Sequence, residues 1–200
     1  MVVHNNIVIV KLRKEAISMK EIRIHGRGGQ GGVTMSEIVV YAAVKDGKFA
    51  ACFPYFGFEK KGGPVNSFVR IDDSKIREKN QVYNPDCIIV IDPTLLNSVN
   101  VFVGAKENCT LILNAKSIDG LEIPKNITKV AYVDANKASM DIFGKVIPNT
   151  IVLGAFAKAT NWVNVNWISE KAQQIWGSKN KESVEYGYNN VTVIEMNREE

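Results

Sequence analysis

A glycine-rich loop at residues 26–32 is the part of this sequence best suited to chemistry, since five of its seven residues are glycine. Gly26, Gly28 and Gly31 match the spacing G-x-G-x-x-G, between a predicted strand and a predicted helix. Glycines allow a ligand to approach the backbone, and the free N–H groups and dipole at a helix start attract anions. Arg27 and Gln30 add a positive charge and an amide at the rim. The loop therefore predicts a site for an anionic group such as phosphate.

Two common nucleotide-binding motifs do not fit this loop. An NAD fingerprint also requires an acidic residue at the end of the next strand, where it binds the ribose hydroxyls. That predicted strand ends at Phe53 and Pro54, and Asp46 lies before it. A Walker A loop would need Gly-Lys-Ser/Thr, which does not follow. A purely structural tight turn stays open, but the density of glycines favours a ligand site.

A second candidate group follows at residues 59–64, where Lys60 and Lys61 stand before Gly62, Gly63 and Pro64. Adjacent ammonium groups can pair with a phosphate. A solvated turn with the same composition is an equally good interpretation of the spacing.

Other polar residues at predicted strand ends have simpler interpretations. His25 is of a type used in acid–base chemistry, but a strand-end histidine more often hydrogen-bonds its neighbours. Asp92 and Asp134 are more often helix caps than ligands. Thr34 or Ser36 is placed to cap the helix that follows the loop. No set of nucleophile, base and orienting residue is recognisable, which is typical of a binding subunit within an enzyme.

Short apolar strands alternate with helical stretches, which predicts one α/β domain with a Rossmann-like, mostly parallel sheet flanked by helices. Parallel strands covered on both faces are almost wholly apolar, as residues 87–91 are. The helix at 150–160 is rich in small residues and predicts close helix packing, and the residues after a last helix at 167–176 are polar. The other predicted strands are 21–25, 49–53 (buried), 65–71, 110–114 and 130–134, and the first helix is 33–45.

Composition narrows the class of protein. Of 200 residues, 46% are hydrophobic and 23% charged, which is ordinary for a globular domain. The net charge of +4 comes from scattered lysines and not from a basic stripe, so we expect no nucleic-acid partner. No apolar stretch is long enough for a membrane span. The three separated cysteines, Cys52, Cys87 and Cys109, predict free thiols and a cytoplasmic protein, with no local metal or cluster site.

Two segments carry a family resemblance. Residues 22–34 resemble the opening of the gamma subunit of pyruvate and related 2-oxoacid:ferredoxin oxidoreductases, and residues 53–65 with 68–72 resemble that family's second motif. Weaker similarity at 133–135 and 148–155 extends the match to roughly residues 19–160. The family often has arginines where this chain has Lys60 and Lys61, and lysine lacks the bidentate fork of arginine. Because residues 1–18 have no counterpart, we expect an upstream extension or disordered leader there and the family domain at 19–200.

The resemblance implies a subunit that is not catalytic alone. The whole enzyme would convert a 2-oxoacid and coenzyme A to acyl-CoA and CO2 and pass electrons to ferredoxin. Thiamine diphosphate and iron–sulfur clusters would belong to alpha, beta and delta-type partner subunits, with the gamma chain on the coenzyme A side. The 2-oxoacid itself would bind in those other chains, so its identity is not encoded here.

Coenzyme A carries phosphates, so the resemblance and the glycine loop indicate the same kind of ligand. The implied backbone or hydroxyl contacts are Gly28, Gly29, Gly31, Gly32 and Thr34. The implied charge partners are Arg27, Lys60 and Lys61, and the wider set adds Gly26, Gln30, Gly62 and Pro64. Two alternatives stay open: a stand-alone nucleotide- or flavin-binding Rossmann module, and a non-catalytic assembly subunit.

Overall fold

The computed structural model describes residues 19–55 and 62–196, which build one seven-stranded sheet with five α-helices. The strands are β1 (Lys20–Arg27), β2 (Phe49–Tyr55), β3 (Pro64–Asp72), β4 (Cys87–Val90), β5 (Cys109–Asn114), β6 (Ile127–Val133) and β7 (Thr192–Glu195). The helices are α1 (Gly32–Lys45), α2 (Ala135–Phe143), α3 (Asn149–Thr160), α4 (Val165–Trp176) and α5 (Ser178–Asn190). Lys60, Lys61 and the proposed leader at 1–18 lie outside the described residues.

The sheet has the order β2-β3-β1-β4-β5-β6-β7, and β1, β4, β5 and β6 are parallel neighbours at its centre. β3 pairs antiparallel with both β1 and β2, and β7 pairs antiparallel with β6. Strands β1, β2, β4, β5 and β6 therefore run one way, and β3 and β7 run the other. The prediction of a mostly parallel α/β sheet is confirmed.

The two faces of the sheet are covered differently. One face packs mainly against α1 and α3, and α2, α4 and α5 complete a large apolar cluster there, which includes Ile22, Ile24 and Ile89 from the strands. The other face buries Ile88 and Leu111 beneath connecting segments and a short 3-10 turn at Pro93–Asn97. Because successive strand residues point to opposite faces, both sides of β4 are apolar and all four of its residues are buried.

Two glycines bring α3 and α5 into backbone contact. A β-carbon added at Gly154 would lie 2.0 Å from the Val184 carbonyl oxygen, and one added at Gly187 would lie 1.9 Å from the Ile151 carbonyl oxygen. Only glycine at both positions permits this separation. The close packing predicted for the small-residue helix is confirmed.

One prediction about this fold was wrong, and two elements were not predicted. The strand at 49–53 is an edge strand and not a buried one, and Phe49 is half exposed, because the antiparallel β3 lies between β2 and the sheet centre. The polar stretch after Trp176 was not recognised as α5 and β7. The buried side of α5 consists of Asn180, Ser183, Val184 and Gly187, so the helix lacks the apolar spacing that periodicity detects.

Candidate functional site

The glycine loop lies where the connections of the parallel sheet diverge. From β1 the chain runs through α1 to β2 at one edge, whereas from the adjacent β4 it runs to β5 on the opposite side. Open α/β sheets bind ligands outside the carboxyl ends of strands at such a point. The loop follows the carboxyl end of β1, and Asp92 follows that of β4.

The loop backbone has the conformation that its glycines predict. Gly29 and Gly31 have φ values of 94° and 79°, in the left-handed region that favours glycine. Gln30 N donates to the Arg27 carbonyl at 3.0 Å and closes the turn. A β-carbon at Gly29 would meet nothing within 4 Å, so open space adjoins this residue.

Helix α1 begins directly from this loop without a side-chain cap. Gly31 occupies the N-cap position, and no side chain accepts a hydrogen bond from the first turn. The expectation that Thr34 or Ser36 caps the helix was wrong, since the Ser36 hydroxyl donates to the Val33 carbonyl instead. An uncapped N-terminus presents free N–H groups and a partial positive charge to the solvent side.

A hydrogen-bonded cluster joins the loop to the end of β4. Arg27 Nε pairs with Asp92 Oδ2 at 3.0 Å, and Gln30 Nε2 donates to the same oxygen at 2.9 Å. The second guanidinium nitrogen, Nη2, donates to Thr94 Oγ1 at 2.8 Å. Asp92 Oδ1 accepts from Thr94 N and caps the 3-10 turn, which confirms the prediction of a cap. That Asp92 also binds Arg27 and Gln30 was not predictable from local sequence, since about 60 positions separate these residues.

Asp92 is held in its charged form. Burial by itself raises the pKa of this carboxyl, but hydrogen bonds from Thr94 and Gln30 and the Arg27 guanidinium outweigh burial and lower the pKa below its usual value. The charge of Arg27 is therefore already balanced within the chain. For Arg27 to pair with a ligand, as predicted, its guanidinium must be shared with Asp92 or leave it.

The second glycine motif lies beside the first. Strand register places Arg27 opposite Pro64, Gly28 N donates to the Gly63 carbonyl at 3.0 Å, and Arg27 Nη1 donates to the Gly62 carbonyl at 3.3 Å. The two motifs, separated by some thirty positions in the sequence, thus meet in space. The structure does not describe Lys60 and Lys61, so their predicted role stays a prediction.

A cavity of about 970 Å³ opens beside the loop. The glycine loop and the start of the 3-10 turn form one wall, through Gly29, Gln30, Gly31, Asp92 and Thr94. The rest of the lining comes from the segment between α2 and α3, which adjoins the loop at Asn149, and from the start of α5, and it includes Lys145, Trp176 and Lys179. The similarity noted at 148–155 was the only sequence signal for that part of the lining.

His25 does not belong to this site. Arg23 Nε donates to His25 Nε2 at 3.1 Å, and the histidine is buried on the sheet face away from the helices. Burial, and secondarily the positive charge of Arg23, lowers the pKa of His25 to about 3. Because Nε2 accepts, Nδ1 carries the proton. The prediction that His25 hydrogen-bonds its neighbour is confirmed.

The cysteines are all free, as predicted. Burial raises the pKa of Cys87, and burial together with the charge of Asp86 raises the pKa of Cys109 to about 12. Within residues 19–55 and 62–196, no three His, Cys, Asp or Glu side chains are grouped as a metal site would require. The longest helix of the same segments, α1, has 14 residues, and none there has the length and apolarity that crossing a bilayer needs.

Comparison with known proteins gives consistent matches. The family model described as pyruvate ferredoxin/flavodoxin oxidoreductase matches residues 21–200. The common gamma subunit of the pyruvate/ketoisovalerate oxidoreductases of Thermococcus kodakarensis is 43% identical over 185 residues, which cover 89% of this chain and 100% of that subunit.

Solved structures agree. The pyruvate oxidoreductase subunit PORC of Thermotoga maritima superposes with a TM-score of 0.74 at 30% identity, covering 88% of this chain and 99% of that one. The 2-oxoglutarate:ferredoxin oxidoreductase of Magnetococcus marinus shares the fold, with a TM-score of 0.69 at 18% identity over 86% of this chain and 30% of that one. The chain therefore belongs to the pyruvate ferredoxin/flavodoxin oxidoreductase family, as a gamma-type subunit of a 2-oxoacid:ferredoxin oxidoreductase.

Proposed function

We propose that this chain binds coenzyme A for the complex, with the glycine loop holding the diphosphate. The whole enzyme converts a 2-oxoacid and coenzyme A to acyl-CoA and CO2 and reduces ferredoxin in the cytoplasm. Thiamine diphosphate and the iron–sulfur clusters supply the decarboxylation and electron transfer from alpha, beta and delta-type partner subunits. The chain's own residues bind and orient coenzyme A.

The uncapped start of α1 beside left-handed Gly29 is the observation that carries this proposal. It adjoins a large cavity at the divergence point of the sheet. Backbone N–H groups at a helix N-terminus are suited to a diphosphate, and they need no side-chain charge to bind it. Gly28, Gly31, Gly32 and Thr34 are the further backbone and hydroxyl contacts that we propose.

The residues around the loop also favour coenzyme A over NAD. NAD binding in this fold uses an acidic residue for the ribose hydroxyls at the end of the second strand. Here β2 ends at Tyr55, and Asp92 at the end of β4 has both carboxylate oxygens engaged by Arg27, Gln30 and Thr94. The Magnetococcus enzyme with the same fold was solved with coenzyme A and succinyl-CoA bound.

Substitution of Gly29 tests the proposal in the intact complex. Gly29→Asp places a carboxylate in open space at the cradle, and the backbone strain of a side chain at φ 94° is shared by the Gly29→Asn control. Repulsion of the diphosphate should raise KM for coenzyme A about tenfold or more and leave KM for the 2-oxoacid unchanged. Gly29→Asn, which has the same shape without the charge, is the matched control and should have the smaller effect. Equal and small effects of both variants on coenzyme A would refute the proposal.

The second motif offers an independent test. Lys60→Ala combined with Lys61→Ala should raise KM for coenzyme A, because these two lysines immediately precede Gly62 and Gly63, which contact the loop. A purely structural assembly subunit would leave coenzyme A kinetics untouched in this variant and in Gly29→Asp. A stand-alone nucleotide module would instead purify without thiamine-binding and iron–sulfur partners, as a monomer with tight NAD or flavin binding.

A further inference from the structure

A second cavity, of about 200 Å³, lies on the sheet face away from the helices. Among the described residues it shares none of its lining with the cavity beside the glycine loop. Strand register places Arg23 and His25 of β1 opposite Phe68 and Asn66 of β3, so these four side chains point to the same face. The rim comes from two connecting segments and includes Gln81, Tyr83, Asn100 and Val103. We call this cavity the Arg23 socket.

The guanidinium of Arg23 is a buried charge without a carboxylate partner. The residue exposes 8% of its surface, and none of the ion pairs among the described residues includes it. Glu21, two residues earlier on the same face of β1, pairs instead with Arg70 at 2.9 Å and Lys106 at 3.2 Å. Burial lowers the pKa of Arg23, because the charge is held away from water. Buried charges in proteins are normally paired, so the socket lacks the negative charge that this guanidinium calls for.

Arg23 is held in place by neutral groups alone. Its Nε donates to His25 Nε2 at 3.1 Å, and Nη1 donates to the Val82 carbonyl at 3.4 Å. Nη2 donates to the carbonyls of Val101 at 2.9 Å and Val103 at 2.6 Å. These acceptors orient the guanidinium but bring no net negative charge. Because His25 Nε2 accepts, Nδ1 carries the hydrogen and has no acceptor among the described residues, so it adds an N–H donor to the socket.

The rim of the socket is apolar and preformed. Tyr83 exposes 62% of its surface and Val103 exposes 59%. The two rim segments are held together, since a β-carbon added at Gly104 would overlap the Tyr83 carbonyl oxygen and Asn84 Nδ2 donates to the Gly104 carbonyl at 3.1 Å. Exposed large apolar side chains around a preorganised depression are typical of a protein–protein contact.

We infer that the Arg23 socket receives the carboxylate of an aspartate or glutamate from a partner subunit, and that Tyr83 and Val103 are covered in the same contact. The charge of Arg23 requires an anion, and the described lining contains no acidic residue that would repel one. The volume favours a side chain over a free ligand, because small-molecule pockets usually measure about 300–1,000 Å³. The family relationship supplies the partner, since the matched relatives are gamma subunits of oxidoreductases. The inference does not depend on where coenzyme A binds.

Dissociation of the intact complex on dilution, followed by mass photometry, tests this inference. Asn66→Asp places a carboxylate opposite His25, where it compensates Arg23 from within the chain and repels the incoming carboxylate. The concentration at which this chain dissociates should rise about tenfold or more, whereas the thermal midpoint of the purified chain should stay the same or rise. Asn97→Asp makes the same change of charge at an exposed site outside the socket, and this control should leave both values unchanged.

Two rim variants test the sign of the charge and the apolar contact separately. Gln81→Lys adds a cation beside the socket and should leave association unchanged or tighten it. Tyr83→Ala removes an exposed ring, so it should weaken association about threefold or more without altering the stability of the purified chain.

Unchanged association in both Asn66→Asp and Tyr83→Ala would overturn the inference. Weaker association in Gln81→Lys together with tighter association in Asn66→Asp would also overturn it, because the inserted group would then be a cation. Acetate and its neutral counterpart acetamide test whether a free acid fills the socket instead. Slower amide hydrogen exchange at residues 81–84 of the intact complex with acetate, but not with acetamide, would show that the socket stays open to solvent there and would contradict docking.

Discussion

Asn149 lies directly against the backbone of Gly31, so close that a β-carbon on Gly31 would be 2.6 Å from Asn149 Nδ2. This contact joins the start of α3 to the start of α1. Gly31 is therefore required for two reasons, its φ of 79° and the space that Asn149 occupies. The glycine loop and the start of α3 therefore adjoin each other at this pair.

Gly31→Ala should destabilise the chain by about 1–3 kcal/mol, through backbone strain and through the clash with Asn149. In the double variant with Asn149→Ala the clash disappears. The double variant should therefore lose less unfolding free energy than the two single variants lose together. Denaturant unfolding of the purified chain measures the unfolding free energy of each single variant and of the double variant. Strict additivity would show that the two residues do not interact.

Asp92→Asn should lower the unfolding free energy by about 1 kcal/mol near neutral pH, because Arg27 and Gln30 lose a charged acceptor. Since the folded pKa of Asp92 is lowered, its contribution is present above the unfolded pKa and is lost as pH falls through the folded value. The gap between wild type and variant should therefore close below about pH 4. Asp119→Asn, at an exposed site, is the control, and a gap that persists in acid would contradict this account.

His25 should make the wild-type chain less stable in mild acid. Its folded pKa of about 3 lies below the unfolded value, so the unfolded chain takes up a proton that the folded chain does not. Stability should fall by up to about 1.4 kcal/mol for each pH unit below about 6.5. His25→Gln, which retains an acceptor for Arg23, should flatten this dependence. An unchanged slope in the variant would show that His25 titrates normally in the folded chain.

Gly187→Ala should destabilise the chain by about 1–3 kcal/mol, although alanine is the better helix former, because its β-carbon would overlap the Ile151 carbonyl. Asn189→Ala on the exposed side of the same helix should be neutral or slightly stabilising. Thermal unfolding compares the two. Equal midpoints for both variants would mean that α3 and α5 pack less closely than the structure places them.

Much of the sheet centre follows from local sequence. Strands such as β4 are predictable because a strand buried on both faces must be apolar throughout. The edge position of β2 was not predictable, since it depends on β3 pairing with β1, which no local pattern encodes. Hydrophobic periodicity does not predict helix α5, because its buried side consists mostly of glycine and polar residues.

The candidate site also contains residues that the sequence predicts and residues that only the tertiary structure shows. The glycine loop is visible in sequence because left-handed turns and close backbone approach require glycine. Asp92, the 145–149 segment with Lys145 and Asn149, and Lys179 are distant in sequence, and only the tertiary fold brings them to one cavity. Residues of common types at unremarkable spacing carry no signal of this kind.

Amide hydrogen exchange on the intact complex, with and without coenzyme A, tests the central claim most directly. Coenzyme A should slow exchange at residues 26–36 of this chain, where the backbone N–H groups of the loop and of the first turn of α1 would bind the diphosphate. The 2-oxoacid alone should leave this segment unchanged. Protection by coenzyme A that is confined to the partner subunits, with residues 26–36 exchanging as before, would contradict the account.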